Sequence, residues 1–443
     1  MGMILSRDQR KAVIQCATAA GEGGKFVFVT GKAGTGKSTV LRALRDSLNI
    51  VVAAPTGIAA INVSGVTCHR LFNLKTGLSD PRRALPAKDV VKYADAVVID
   101  EVSMVRADMM DAIDHSLRKR MECDRPFGGK TILAFGDLWQ LPPVATREEW
   151  QHRAATYPSP FFFHAQVFTG QSEGLGFDTD PVSIKTVELN EVFRQIGDPQ
   201  FVDALNLIRM GDVAGLTYIN TRAGIKPSPV DMPVTIVMTN KRADEINDAR
   251  LSTLDTESRI YEPEIEGEFG DDVPVARKLN LKVGAQVMFA KNMACEVTGE
   301  YAANGMVGEV IAFGQYGPFV RLANGNEIQA TPQKWEKKTY EKGENGLAEK
   351  VDGVYEQIPL KLAWAISTHK SQGQTLESAV IEVESASRTH GQTYVALSRV
   401  KSMEGLFLRR ALNKFDLCID HAVKAFFSPP TPSRFAGFAK GAR

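Results

Sequence analysis

The sequence predicts an α/β protein made of two parallel-sheet domains, the second split by a small antiparallel β-barrel. Three observations carry this. Over residues 25–137, short apolar runs alternate with stretches of helical spacing, the pattern of a parallel sheet wrapped by helices. A second unit of the same kind opens at "VTIVMTN" (234–240) and breaks off. Between 281 and 335 the pattern becomes short strands separated by glycine turns, and α/β character returns at "LKLAWAIST" (360–368). A chain of 443 residues is also too long for one core.

Taken in order, "KFVFVT" (25–30) is β-rich, Gly31 to Ser38 is a Gly-rich loop, and "STVLRALRDSL" has helical spacing. "VVAAP" (51–55), "AVVID" (96–100) and "TILAFGD" (131–137) supply further buried strands. Asp137 ends the last of these, and Pro142 and Pro143 stop any helix after it. "SIKTVELNEVFRQ" is a strand running into a loop. "LKVGAQVMFAKN", "GMVGEVIAFG" and "GPFVRLANGNEIQA" are the barrel strands, with "NGN" as a hairpin signal. Residues 332–354 read as a charged loop; "SAVIEVE", "QTYVALSRV" and "GLFLRR" then complete the second domain. The Pro/Gly-rich basic tail after Phe427 reads as mobile.

Bulk composition excludes several classes. Hydrophobic content of 44% and charged content of 24% are those of a soluble globular protein. A net charge of +1 gives no whole-chain field, so a nucleic-acid partner needs a local groove. Cys16, Cys68, Cys123, Cys295 and Cys418 form no C-x-x-C pair, which speaks for a reducing compartment and against a zinc site. No apolar run reaches membrane-spanning length and no signal peptide is visible, so a cytoplasmic protein without a membrane partner is expected. "MGMILS" fits the myristoylation pattern formally, but plain hydrophobic lead-in is the better reading.

"GKAGTGKS" (31–38) matches G-x-x-x-x-G-K-[ST] in full, after a strand and before a helix. Glycines let backbone N–H groups close around phosphate oxygens, and the helix N-terminus adds a positive dipole. Gly34, Gly36, Lys37, Ser38 and Thr39 are therefore nucleotide-binding candidates. Lys37 can reach the β- and γ-phosphates, and Ser38 can ligate Mg²⁺. In "AVVIDEVSM", Asp100 ends a strand where it can hold Mg²⁺ through water, and Glu101 can orient or deprotonate the attacking water. Strand ends carry the site in such sheets, which places Gln140 beside Asp100 as a sensor of the terminal phosphate. Arg194 and Arg399 are candidates for neutralising the transferred phosphate; by position alone, each is equally a surface arginine.

The ordered blocks "GKAGTGKST", "AAPTGIAAINVSGVTCHRLF", "VVIDEVSMV", "RPFGGKTILAFGDLWQLPPV", "ELNEVFRQ", "ISTHKSQGQTLESAVIE" and "YVALSRV" resemble a superfamily 1 helicase, of the Pif-one family in the RecD-like, 5′-to-3′ branch. The resemblance runs from about residue 5 to about 410, and "PFGG" leading into "GDLWQLPPV" is similar to the family's signature stretch. It implies two RecA-like P-loop NTPase domains with a Src-homology-3-like barrel inserted in the second. The implied boundaries are 1–185 for the first motor domain with a small wedge near 66–92, then 186–280 and 359–428 for the two parts of the second. The barrel would span 281–358 and the tail 429–443.

The resemblance also assigns roles. Gln9 falls on the adenine-reading glutamine, and Arg194 and Arg399 fall on the two γ-phosphate arginines. Thr56 and His69 fall in single-strand-tracking segments of the first domain, and Thr368, His369, Lys370 and Gln372 in that of the second. Trp139 stands where a different aromatic is common. The implied activity is an ATP- and Mg²⁺-dependent DNA helicase in genome maintenance, a bare motor of bacterial or viral style. It would load as a monomer on single-stranded DNA or tailed duplexes and move 5′ to 3′. A translocase that displaces proteins rather than strands is the alternative. A binding switch with weak turnover is a third reading, and the presence of Glu101, Gln140, Arg194 and Arg399 speaks against it.

Aromatic stacking on bases makes Phe72 and Trp139 DNA-binding candidates, set against core packing as the commoner role. The basic run Arg118, Lys119, Arg120 and Arg125 is either a solvated face or a contact to a strand or to the other domain. His115 and His421 are expected on the surface.

Overall fold

The fold comes from a computed structural model, in which residues 5–75, 77–144, 147–170, 180–193, 197–228, 232–270, 273–294, 300–343, 346–384 and 389–428 are described. Helix α1 (Arg7–Glu22) starts at a capping box: the Ser6 hydroxyl accepts from Gln9 N, and the Gln9 side chain accepts from Ser6 N. Strand β1 (Phe26–Gly31) runs through the Gly-rich loop into α2 (Lys37–Arg45), and β2 (Ile50–Ala54) runs into α3 (Gly57–Asn62). Strands β3 (Val66–Thr67), β4 (Ala96–Ile99), β5 (Thr131–Gly136) and β6 (Ile184–Leu189) complete a six-stranded sheet ordered β3-β2-β4-β5-β1-β6. Every pairing in it is parallel. Every residue of β1, β2, β4 and β5 is buried, as a sheet covered on both faces requires.

One face carries an aromatic cluster that includes Phe26, Phe28, Phe127, Phe162 and Phe163. Burial of each Phe side chain contributes about 1.5–3 kcal/mol.

The second parallel sheet is ordered Ala365–Ser367, Val234–Val237, Ala379–Glu382, Leu406–Leu408. Helices Pro199–Arg209, Asn240–Ser252 and Gln392–Leu397 belong to this unit. Between its parts lies a five-stranded antiparallel sheet, ordered Glu327–Gln329, Pro318–Leu322, Val307–Phe313, Gln286–Phe289, Leu360–Leu362, with its own apolar core.

Four expectations need correction. The boundary at 185 cuts β6, which pairs with β1 through Leu189 and so belongs to the first sheet. The stretch 360–368 is two strands: Leu360–Leu362 joins the antiparallel sheet, and only Ala365–Ser367 joins the parallel one. A continuous apolar run cannot reveal that the chain changes sheets within it.

Residues 332–354 are not a loop but a hairpin, Gln333–Gly343 with Gly346–Gln357, edged by Glu264–Gly267. Its outer half is mostly charged, with only Tyr340 and Leu347 among the described residues turned to the first domain's core, so no apolar alternation announces it; cross-strand pairs such as Lys338–Glu349 at 2.7 Å replace that signal. The hairpin leans on the first domain, where the Tyr340 hydroxyl accepts from Val52 N at 3.2 Å and Arg70 pairs with Asp352 at 2.6 Å.

Helix His421–Phe427, expected in the second domain, packs on the first. Val423, Phe426 and Phe427 form a stripe at helical spacing that covers the aromatic cluster. Phe426 lies 4.6 Å from Phe163, and Phe427 stacks on Trp139 at 5.4 Å, ring centroid to centroid. The two parallel-sheet domains are thus joined by two chain crossings.

Candidate active site

Phosphate-loop geometry follows from its glycines. Gly36 holds φ +81, and a Cβ there would stand 2.3 Å from Gln9 Nε2. Gln9 is buried against the loop and donates from Nε2 to Thr35 O at 3.2 Å. The Lys37 ammonium donates to Gly31 O at 2.7 Å and to Lys32 O at 3.3 Å, folded back on its own loop. Burial lowers its pKa, against the opposing pull of Asp137 and Glu101.

Asp100 and Glu101 follow β4. Burial raises the pKa of both carboxyls; at Asp100 the adjacent Glu101 adds to this, and at Glu101 the charges of Lys37 and Arg399 partly offset it. Glu101 sits at φ 49, ψ 42, a left-handed conformation that costs a non-glycine residue about 1–3 kcal/mol. Strain of that kind persists where surrounding contacts enforce it.

Gln140 is buried at the end of the loop after β5. Its Nε2 donates to Asp137 Oδ2 at 3.2 Å, and its Oε1 lies 3.5 Å from Gln372 Nε2 of the second domain. Gly391 makes the close approach of the two domains possible here: a Cβ on it would stand 2.4 Å from the carbonyls of both Trp139 and Gln140. Next to it, His390 donates from Nε2 to Leu138 O at 2.7 Å, while its Nδ1 accepts from Asp420 N at 2.9 Å, which fixes a neutral tautomer.

Arg399 is 1% exposed. Its guanidinium donates to Val395 O at 2.9 Å and the Ser398 hydroxyl at 2.9 Å, with Ser371 O at 3.4 Å, and its charge reaches Glu101 across the interface. Arg194 lies outside the described residues.

A cleft of about 1340 Å³ between the first domain, the second domain and the antiparallel sheet is lined by Ser38, Thr56, Asp100, Glu101, His369, Lys370 and Gln372. Ser38, Asp100 and Glu101 thus share one space with four of the eight nucleic-acid candidates. The Thr56 hydroxyl caps α3, accepting from Ala59 N at 3.2 Å. Thr368, His69, Phe72 and Trp139 do not line the cleft. Thr368 is fully buried and donates to Val237 O at 3.1 Å. His69 is half-buried, with its pKa lowered by burial and then by Arg106.

Phe72 is 0% exposed within the aromatic core, which corrects its reading as a stacking residue. Phe72→Ala is therefore expected to lower stability by about 3–5 kcal/mol, measured by urea unfolding. Phe72→Leu should leave single-stranded DNA affinity within about twofold; a larger loss would restore the stacking role. Trp139 is likewise enclosed, between Phe427 and the Arg209 guanidinium.

The basic run is also largely consumed internally. Arg118 pairs with Asp114 at 2.8 Å, Arg120 with Asp89 at 2.8 Å, and Lys119 donates to Ala84 O at 2.7 Å. His115 is buried, not superficial, and burial pulls its pKa down to about 4.

Sequence reasoning missed Arg209, whose guanidinium reaches Asp137 at 2.7 Å, and Tyr394, whose hydroxyl accepts from Ala33 N of the phosphate loop at 3.3 Å. It also missed Lys361 on the cleft wall, where burial and the neighbouring Lys370 pull the ammonium down to about 8. Tyr394 stood in a quoted block; Arg209 and Lys361 carried no local signal.

The PIF1-like helicase family matches residues 4–168. The ATP-dependent DNA helicase PIF1 of Rattus norvegicus is 32% identical over 86% of this chain, and the chain spans 58% of that relative's length. Pif1 from Bacteroides sp in complex with ADP-AlF4 is 35% identical, covers 96% of both chains and superposes with a TM-score of 0.84. Bacteroides Pif1 bound to single-stranded DNA is also 35% identical and covers 96% of both chains, with a TM-score of 0.66. The two parallel sheets are RecA-like domains. With a solved relative 35% identical across 96% of its length, this chain belongs to the PIF1-like helicase family.

Proposed function

We propose that the chain is an ATP-dependent DNA helicase that translocates 5′ to 3′ on single-stranded DNA and unwinds duplexes. The direction of travel rests on the resemblance alone; one observation carries the ATP-driven part of this reading: parts of the nucleotide site come from both domains and meet at one interface. Gln372 reaches Gln140, Tyr394 reaches the phosphate loop, and the Arg399 charge is felt at Glu101. The named activities of the relatives point the same way.

In this reading Lys37 exchanges the carbonyls of Gly31 and Lys32 for phosphate oxygens when ATP enters. Glu101 orients the attacking water, Gln140 reads the terminal phosphate, and Arg399 neutralises charge on the transferred group. Arg194 is the proposed second arginine, and Gln9 the adenine reader beside the loop. Ser38 and Asp100 fit a Mg²⁺ ion, which supplies charge neutralisation on the phosphates when bound. They share the cleft wall, and a divalent cation relieves the buried charge of Asp100 next to Glu101. The Ser103 hydroxyl, three residues after Asp100, is buried with no partner among the described residues, as a water-bonding group would be.

Thr56, His369 and Lys370 grip the strand through its backbone, which makes the grip blind to sequence. ATP binding favours the closed pair of domains and hydrolysis releases it, so the two grips alternate. A monomer in a reducing cytoplasm suits this reading.

The test is strand displacement with ATP and Mg²⁺ on duplexes carrying either a 5′ or a 3′ single-stranded tail. Unwinding of the 5′-tailed duplex alone is expected. Unwinding of the 3′-tailed duplex alone would reverse the polarity. Neither, with ATPase still stimulated by single strands, would make the protein a translocase that remodels bound proteins.

A further inference from the structure

Helix Pro199–Arg209 ends on a buried arginine that lies in none of the family-like sequence blocks. Arg209 is 6% exposed, and its Nη2 donates to Oδ1 of Asp137 at 2.7 Å. The partners belong to different domains. Asp137 follows β5 of the first, and Arg209 closes the first helix of the second. The other carboxylate oxygen, Oδ2, accepts from Gln140 Nε2 at 3.2 Å, and Oδ1 also accepts from Trp139 N at 3.2 Å. The guanidinium carbon stands 5.6 Å from the Trp139 ring centroid. One carboxylate therefore ties the second domain to the loop that ends in Gln140.

Two physical arguments make this more than adhesion. A buried ion pair loses in desolvation much of what it gains in attraction, so well-packed apolar residues would hold the domains together as well. The guanidinium geometry adds the second. Arg209 Nε is buried without a hydrogen-bond partner among the described residues, a costly state for a donor. The Arg209 charge is felt at both Lys32 and Lys37 of the phosphate loop, so the guanidinium adds positive charge where an anion would enter. A planar fork can hold Asp137 with one nitrogen and keep another for a phosphate oxygen; a lysine has a single charged point.

We propose that Arg209 is a positioning residue of the nucleotide site: it holds Asp137, and through it the Gln140 amide, so that the terminal phosphate is read only while the second domain is seated. The proposal rests on the cleft being an ATP site. It extends that site to a helix outside the family-like blocks. Gln372 supplies the complementary strut, touching the Gln140 oxygen while Asp137 holds its nitrogen.

The experiment is a double-mutant cycle in the full chain, using Arg209→Met, Gln140→Ala and the pair, with Arg209→Lys as the conservative variant. ATP turnover with and without single-stranded DNA, KM for ATP and thermal melting are read for each. Arg209→Met is expected to lower kcat by about 30-fold or more, with KM within about threefold. In the Gln140→Ala background the same change should cost less than about threefold further, because both remove one function. Arg209→Lys should recover part of kcat. Unchanged kcat in Arg209→Met, or losses that multiply in full, would overturn the proposal in favour of a purely structural arginine. Should Arg209→Met fail to fold, the cycle of Arg209→Lys with Gln140→Ala reads the same non-additivity. A wild-type chain without ATP turnover would remove the reading of the cleft and Arg209's role with it; turnover with multiplicative losses removes Arg209 alone.

Discussion

Lys37→Ala lowers ATP turnover by about 10²–10³-fold or more while leaving single-stranded DNA affinity within about twofold. Lys37 stands where the phosphate loop opens into α2, and its ammonium is already held at loop carbonyls, 2.7 Å from Gly31 O. Burial penalises that charge, and the carboxylates of Asp137 and Glu101 sustain it. Removing it takes away the loop ammonium that offsets these carboxylates where phosphate would enter. The proposed backbone grip on DNA does not involve this residue, so binding by fluorescence anisotropy separates the two effects. Turnover at the wild-type rate would take Lys37, and the whole loop, out of the chemistry.

Arg399→Ala is the second large expectation: ATP binding within about threefold of wild type, and kcat lower by about 10³–10⁵-fold. The residue is buried, its guanidinium is oriented by Val395, Ser398 and Ser371, and its charge reaches Glu101 from the opposite domain. A group presented from across the interface acts when the domains are closed, so its loss falls on the chemical step rather than on nucleotide affinity. Binding of a fluorescent ATP analogue alongside steady-state turnover decides it. Tight binding with normal turnover would exclude Arg399 from the site.

Much of the chemistry was legible because phosphate binding by a Gly-rich loop is local. Gly36, Lys37 and Ser38 act through backbone geometry that eight consecutive residues determine, and the strand and helix that flank them have strong periodic signals. Asp100 and Glu101 were legible for the same reason, since a buried strand that ends in two carboxylates is a local contradiction that needs a cause. The hairpin 333–357 was not legible. Its strands carry charge on faces that tertiary contacts, not periodicity, stabilise, through Tyr340 on Val52 and Asp352 on Arg70. Phe72 and Trp139 stayed open between a base and the core, because an aromatic near a strand end reads the same in either place. Only the packing of Phe427 on Trp139, from the far end of the chain, separates the two.

The sequence by itself determined the α/β class, the phosphate loop, the carboxylate pair and the order of the blocks, all of which depend on residues within a few positions of one another. Only the tertiary structure decided which side chains meet across the domains. Arg209 reaches Asp137, Gln372 reaches Gln140, Tyr394 reaches Ala33, and helix His421–Phe427 crosses back onto the first sheet. Those pairs are separated by 72 to 361 residues, and a contact over such a distance is set by how buried surfaces fit together. No local pattern encodes that fit, because the same arginine or tyrosine is equally stable in solvent until a partner surface removes the water from it.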